Sequence, residues 1–358
     1  MCQPIDIYNQ RRNRVIPEFQ RQIGSFRYSI EECFTNHDTT LANRPKTITS
    51  DHFSYGYKNF GFAPYGDLWR TLRRLSTLEV FSSVSLQKNA YIRNEEVSNL
   101  CSNLFRLSRD SRRVDLKYQF TLLTAHVMFR LVSGNRGVEE SDPESEKRFL
   151  DDFKLRFFSS MSMNVCDYFP VLRWIGYKGL EKRVIEMQRM RDEYLQRLID
   201  DIRMKKFDST GSIVEKFLKL QESEPEFYAD DVIKGIVVLM FNGGTDTSPV
   251  AMEWAMDGEL WEEADVFKPE RFEGFAGDRD GFRFLPFGVG RRACPAAGLG
   301  MRVVALAVGT LVQCFEWEKV EEGDIDMRPV FGVAMAKAEP LVALSKPWPE
   351  MVPILSQL

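Results

Sequence analysis

Apolar residues recur at helical spacing along much of this chain. Leu68, Leu72, Leu75 and Leu78 fall three or four positions apart, the interval that puts side chains on one face of a helix. Gly66 and Asp67 precede them, so a helix is expected to start there with Asp67 as its N-cap. Arg70, Arg73 and Arg74 make that helix basic. Residues 28–35, roughly 85–107 and 115–133 carry similar patterns. The charged stretch 181–206 lines up Val184, Met187, Met190, Tyr194, Leu198 and Ile202. That stripe predicts an amphipathic helix packed on a core rather than one lying on a membrane or a partner. Residues 1–25 show no period and read as a loose tail. Residues 42–65, with Asn43, Pro45, Gly56, Gly61 and Pro64, read as loops.

Residues 229–256 differ. Ile233 and the run from Ile236 to Phe241 are apolar on every side, which predicts a helix through the middle of a large protein. Its centre reads Asn242-Gly243-Gly244-Thr245-Asp246-Thr247. Each glycine in a helix interior costs about 1 kcal/mol relative to alanine. A polar triplet then sits where packing favours leucine, and broken local rules in a core mark functional sites. Pro249 has no N–H for the carbonyl of Thr245, so it should widen the distortion. After Met256 the chain turns acidic and turn-rich over 257–281. A glycine-containing stretch at 284–298 then leads into an apolar helix over 299–314, and short strands are expected from Phe315 onward.

Composition narrows the class. The 358 residues are 44% hydrophobic and 28% charged, which excludes wholesale disorder and allows one to three domains. Net charge is −4, against non-specific nucleic-acid binding. The N-terminal half is net basic and the C-terminal half net acidic, as two solvated surfaces would be. No apolar run approaches the roughly 20 residues of a spanning helix; 236–241 and 303–312 are too short, so no transmembrane helix is expected. Arg11, Arg12, Arg14, Glu18 and Arg21 leave no room for a signal peptide. Six cysteines without paired spacing suggest a reducing compartment. Three histidines argue against His-based zinc hydrolysis. No phosphate loop occurs, and Gly288-Val289-Gly290 lacks the third glycine of a dinucleotide fingerprint.

The segment around Cys294 carries the most specific chemistry. Pro286, Gly288 and Gly290 force a tight turn that lets backbone approach a flat ligand. Arg291 and Arg292 add fixed charge. Cys294 lies just before a helix, where unpaired N–H groups favour a thiolate. Such a thiolate is a strong axial donor to haem iron; the other reading is a buried, inert thiol. Phe287-x-x-Gly290-x-Arg292-x-Cys294 resembles the cysteine-ligand signature of the cytochrome P-450 haem-thiolate monooxygenases. Ala296 stands where that family usually has glycine. Gly243-Gly244-Thr245-Asp246-Thr247 resembles its oxygen-activation motif, and Trp69-x-x-x-Arg73 its propionate-contacting pair. Phe267-Lys-Pro-Glu-Arg271-Phe272 resembles the motif before the cysteine loop. The stretch 62–74 looks like the plant microsomal branch. With Leu41-Ala-Asn-Arg-Pro45 and Gln313-Cys-Phe-Glu-Trp317, the nearest subgroup is similar to isoflavone hydroxylase-type enzymes.

The resemblance implies a mainly α fold with a small β component, an incomplete cytochrome P-450 fold. It would begin after an unrelated tail at 1–27, run from 28 to 256 through the oxygen-activation helix, continue over 257–345, and end in a tail at 346–358. It implies haem b (iron protoporphyrin IX) with Cys294 as the iron ligand. Trp69, Arg73, Gly243, Gly244, Phe287, Gly290 and Arg292 would bind the cofactor, with Asp246 and Thr247 as catalytic proton carriers. It further implies electrons from an NADPH-dependent flavoprotein reductase, a candidate docking face in the basic stretch 61–120, and a small apolar organic substrate. The family's address is the cytosolic face of the endoplasmic-reticulum membrane; lacking the family's anchor, this chain is expected there or in the cytoplasm. The family's Glu-x-x-Arg helix is missing at 256/257, which would strip Arg271 of its carboxylate. Glu186-Met-Gln-Arg189 and Glu18-Phe-Gln-Arg21 fit the pattern by chance. Two rivals follow: an inactive remnant that does not hold haem productively, and a haem-binding protein without oxygenase activity. Met161, Met163, Met187 and Met190 could line a substrate pocket, though a methionine stripe is more often core.

Overall fold

Helices account for most of the described residues because apolar residues recur every three or four positions along the chain. The computed structural model describes residues 32–34, 36–138, 142–157, 165–205, 211–253, 270, 286–320, 328–330, 334 and 336–358. The chain divides into two units, one of residues 1–43 and 266–294, the other of 44–265 and 295–358. The expectations for 1–27, for 257–281 and the Phe267–Phe272 motif apart from Glu270, and for Met161 and Met163 lie outside the described residues.

In the larger unit the longer helices are α1 (Ile48–Phe53), α2 (Asp67–Ser76), α3 (Ser83–Lys88), α4 (Ala90–Arg109), α5 (Leu116–Ser133), α6 (Pro143–Phe157), α7 (Leu180–Met204), α8 (Ile213–Ser223), α9 (Asp230–Thr245), α10 (Thr247–Glu253) and α11 (Ala297–Cys314). Two small antiparallel sheets accompany them. β1 (Val114–Asp115), β5 (Val342–Pro347) and β2 (Phe315–Lys319) lie in that order, with Val114 opposite Ala343 and Trp317 opposite Ser345. β3 (Pro329–Val330) pairs with β4 (Ala336–Lys337).

The core forms around α9. Val232, Ile233, Ile236, Val237, Val238, Met240 and Phe241 are all buried, so apolar residues on every side find partners there. Phe241 sits among Phe129, Phe153 and Phe157 at ring distances of 4.6, 5.4 and 5.1 Å. Truncating one such ring to alanine costs about 3–5 kcal/mol. The inner row of α11, Leu299, Val303, Ala307, Leu311 and Cys314, is buried in the same core cluster. Among the described residues α11 alone has the length and apolarity of a membrane span. The apolar run at 303–312 is extended to 18 residues by its flanks in this helix.

Five expectations shift. The loops expected at 42–65 contain α1, nucleated by a reciprocal cap: Ser50 N–H donates to Thr47 Oγ1 at 3.0 Å and Thr47 N–H to Ser50 Oγ at 2.9 Å. Asp67 is the first helical residue rather than the N-cap; Gly66 holds the cap position and Asp67 pairs with Arg70. Leu78 is exposed because 77–81 forms a π-helical turn, which rotates Val80 and Phe81 inward instead. The most buried line of α7 is Arg191, Leu195 and Ile199, one position round from the expected stripe. Within the expected tail, residues 349–355 form short helical turns and Leu355 is buried.

Candidate active site

In the smaller unit the thiol loop is a closed turn. Cys294 N–H donates to Phe287 O at 2.8 Å and Ala293 N–H to Gly290 O at 3.1 Å. Gly288 and Gly290 have φ of +68° and +72°, a region that side-chain-bearing residues rarely enter. A Cβ on Gly290 would also meet Phe34 Cδ1 at 2.8 Å. Arg292 Nε donates to Ala42 O at 2.8 Å, and Arg291 pairs with Asp38 at 2.6 Å. Both arginines therefore tie the loop to 38–42. Cys294 is exposed, whereas Cys101, Cys166 and Cys314 are buried. The buried, inert thiol is excluded.

In the larger unit the polar centre of the apolar helix breaks it. α9 ends at Thr245, Asp246 leaves the helix, and α10 resumes at Thr247. Pro249 withholds an N–H from the carbonyl of Thr245. Thr124 of α5 supplies the donor instead, its hydroxyl 3.0 Å from Thr245 O. The Thr247 hydroxyl donates to Gly243 O at 2.7 Å. Asn242 Nδ2 donates to Phe157 O at 2.6 Å. Asn242 Oδ1 and Thr245 Oγ1 are buried without a hydrogen-bond partner among the described residues, the kind of atom a bound polar group would satisfy. A Cβ on Gly243 would meet nothing within 4 Å, while one on Gly244 would run into Met128 Cγ at 2.7 Å. Burial pushes the Asp246 carboxyl above the usual carboxylate range, opposed by Lys117 and Lys154. Asp246 therefore holds a proton more readily than an exposed aspartate does.

Trp69 and Arg73 lie one turn apart on α2, as their spacing required. Trp69 is buried and its indole N–H donates to Phe60 O at 2.9 Å. That bond anchors the 60–65 segment, and Arg73, one turn on, is half-buried.

The ten candidate residues thus fall into three local groups: the loop of Phe287, Gly290, Arg292 and Cys294; the break with Gly243, Gly244, Asp246 and Thr247; and Trp69 with Arg73. Thr124, Asn242 and Met128 were missed. Thr124 could have been sought by asking where the Thr245 carbonyl finds a donor.

A model of the cytochrome P450 family matches residues 27–257 and 255–343. The chain belongs to the cytochrome P450 family. Cytochrome P450 81Q32 of Catharanthus roseus is 33% identical over 89% of this chain and 81% of its own. The (+)-piperitol/(+)-sesamin synthase CYP81Q2 of Sesamum radiatum is also 33% identical, over 92% and 82%. An isoflavone 2'-hydroxylase of Medicago truncatula is 29% identical over 89% and 82%. These place the chain in the plant, isoflavone hydroxylase-like branch. The fold agrees: a zebrafish cytochrome P450 solved with progesterone superposes with a TM-score of 0.68 at 18% identity, covering 89% of this chain and 92% of that one. The architecture is a mainly α, incomplete P450 fold. The first alignment spans 407 positions while using 89% of a 358-residue chain, so relatives carry internal residues that this P450 lacks. The family match is in two pieces that meet at 255–257.

Haem b is the cofactor of this family. Two features of the P450 chain fit it: an exposed thiol held in a glycine turn, and open space where Gly243 would carry a side chain.

Proposed function

We propose that this P450 hydroxylates a small, apolar plant secondary metabolite with O2 and electrons from an NADPH-dependent flavoprotein reductase. The exposed Cys294, presented by a turn whose positive φ at 288 and 290 favours glycine, carries this reading. Bound haem would supply the one-electron and oxygen chemistry that side chains lack. Cys294 would hold it as a thiolate donor, with Phe287 and Gly290 shaping the approach. Arg292 and Arg73 would offer cations to its carboxylates, and Trp69 would hold the segment beside Arg73. Gly243 would leave clearance at the helix break, and Gly244 lets Met128 pack close against it. Asp246, with its raised affinity for a proton, would pass it through the Thr247 hydroxyl. The named activities of relatives, isoflavone hydroxylation and sesamin synthesis, support an aromatic substrate. Arg70 and Arg74 on α2 suit an acidic reductase face, and charge reversal there should slow reduction and flatten its salt dependence. The family's endoplasmic-reticulum membrane is the proposed location.

A second reading has its own observation. The residues present in relatives but lacking here include, on this reading, the Glu-x-x-Arg helix, and the chain would then be a haem-free or turnover-incompetent remnant. The reduced, carbon monoxide-treated absorption spectrum separates the two. A red-shifted Soret band that Cys294→Ser abolishes supports the monooxygenase. Loss of haem, or a spectrum unchanged by Cys294→Ser, overturns it.

A further inference from the structure

Given the role proposed for Arg73 toward the haem carboxylates, on which this rests, we infer that Lys216 of α8 is its positioning residue, acting through the π-helical turn after α2. Residues 77–81 form that turn, with Val80 and Phe81 buried and Leu78 exposed. A π-turn takes one residue more than an α-turn and is often found at functional sites. Here it reconciles two buried faces. Trp69 and Leu72 of α2 are buried, and so are Val80 and Phe81 beyond them. Closing the turn to α geometry would rotate one pair against the other by about 100°, one residue's share of a helical turn. Arg73, next to Leu72, would swing with α2.

A π-turn loosens the ordinary hydrogen-bond ladder, and side-chain donors brace its carbonyls here. Thr77 Oγ1 donates to Arg73 O at 2.8 Å, and Ser82 Oγ to Leu78 O at 2.8 Å. Glu79 O accepts twice, from Ser85 Oγ at 2.8 Å and from Lys216 Nζ at 2.6 Å. Of these four donors Lys216 alone is distant in the chain, 137 residues from the carbonyl it holds. Its ammonium also pairs with the Glu79 carboxylate at 3.5 Å. A charge-assisted bond of this kind is stronger than one from a neutral hydroxyl. On α8 its neighbour Phe217 is buried, so the base of the lysine is fixed by the core. Lys216 therefore ties the register of the turn, and with it the setting of α2, to α8.

Uptake of haem and of its dimethyl ester, whose carboxylates are blocked, tests this in the full-length protein by Soret titration. The wild type should bind haem about tenfold or more tighter than the ester, the size of one charge-assisted contact. Arg73→Leu should cut that ratio by about fivefold or more, and Lys216→Met by about threefold. Lys216→Arg should restore it, and Lys216→Met should add nothing in the Arg73→Leu background. Equal losses for haem and ester in Lys216→Met would mark a merely structural role and overturn the inference. Hydrogen exchange gives a second measurement that needs no haem: Lys216→Met should speed amide exchange over 77–82 by about tenfold while α9 stays unchanged. Unaltered exchange over 77–82 would overturn the inference too. If the wild type takes up no haem, or Arg73→Leu leaves the ratio unmoved, the proposed function of Arg73 fails and Lys216 loses its role with it. A drop in Arg73→Leu that Lys216→Met does not share overturns the role of Lys216 alone.

Discussion

The carbonyl of Thr245 offers the sharpest test of how this helix tolerates its break. Pro249 cannot donate to it, and the hydroxyl of Thr124 reaches it at 3.0 Å. The same hydroxyl also lies 3.0 Å from Phe120 O and 3.1 Å from Thr121 O in its own helix. Those two carbonyls have ladder partners in α5, so only Thr245 O loses its donor in Thr124→Val. Thr124 and Thr245 are buried. Leaving such a carbonyl unsatisfied costs about 1–3 kcal/mol. Pro249→Ala returns the missing N–H, and in that background Thr124→Val should cost less than about 0.5 kcal/mol, giving a coupling of about 1–2 kcal/mol. Urea unfolding followed by circular dichroism reads all four corners of the cycle, with stability taken from midpoints at constant m. Equal costs of Thr124→Val in both backgrounds would refute the reasoning.

Three further outcomes follow from the same structure. Burial foremost, then Arg136, holds His126 down to about 4 from its usual 6.5; stability is therefore full above pH 6.5 and falls as pH drops toward 4, by up to about 1.4 kcal/mol per pH unit. His126→Gln should flatten that fall in urea midpoints measured across the window, while the raised Glu146 carboxyl, which acts with opposite sign, stays in both proteins. Arg191 is fully buried, with Nε and Nη2 on Gln188 and Nη1 without a partner among the described residues, and burial lowers its pKa to about 10. Arg191→Met should keep or raise the urea midpoint, because an uncompensated charge costs several kcal/mol against the roughly 1–2 kcal/mol lost over the Phe53 ring. Gly243→Ala should stabilise by up to about 1 kcal/mol because its Cβ meets open space, while Gly244→Ala should destabilise by about 1–3 kcal/mol against Met128. Equal midpoints for the two glycine variants would contradict that contrast.

What the sequence disclosed follows the range of the forces involved. The starts of α2 and α5, the all-round apolar α9 and the thiol turn depend on neighbours within a few residues, so spacing and glycine placement reveal them. The break at Thr245–Thr247 was legible as a conflict, two glycines and a proline inside a core helix, but its resolution by Thr124 lies 121 residues away. The face of α7 was legible only in part: Tyr194, Leu198 and Ile202 pack against the core, but the most buried line through Arg191, Leu195 and Ile199 was not legible. Arg191 is polar in sequence, yet it packs its guanidinium 4.7 Å from the Phe53 ring, and no periodicity rule puts arginine inward. α1 escaped notice because six residues give too little period, although Thr47 and Ser50 carried its cap. The thiol turn was read from two glycines, whereas its anchoring by Asp38 and Ala42 was not.

Local legibility also explains how a P450 signature can outlast a P450 activity. Cys294 needs only its glycine turn and two arginine anchors to be presented, and the helix break needs only Pro249 and Thr124. Neither device depends on the internal residues that relatives carry and this chain lacks. On the proposed function, haem retention would also need more than either device alone supplies, since each acts only within its own unit. The signature motifs therefore weigh little in deciding competence. Thiolate ligation, read from the carbon monoxide spectrum, and the Thr124–Pro249 coupling, read from urea midpoints, probe the two devices separately. A chain with intact coupling and no thiolate band would have a sound larger core and a failure in how the thiol loop is held. A chain lacking the coupling as well would have lost the break itself, and no substrate search would then succeed.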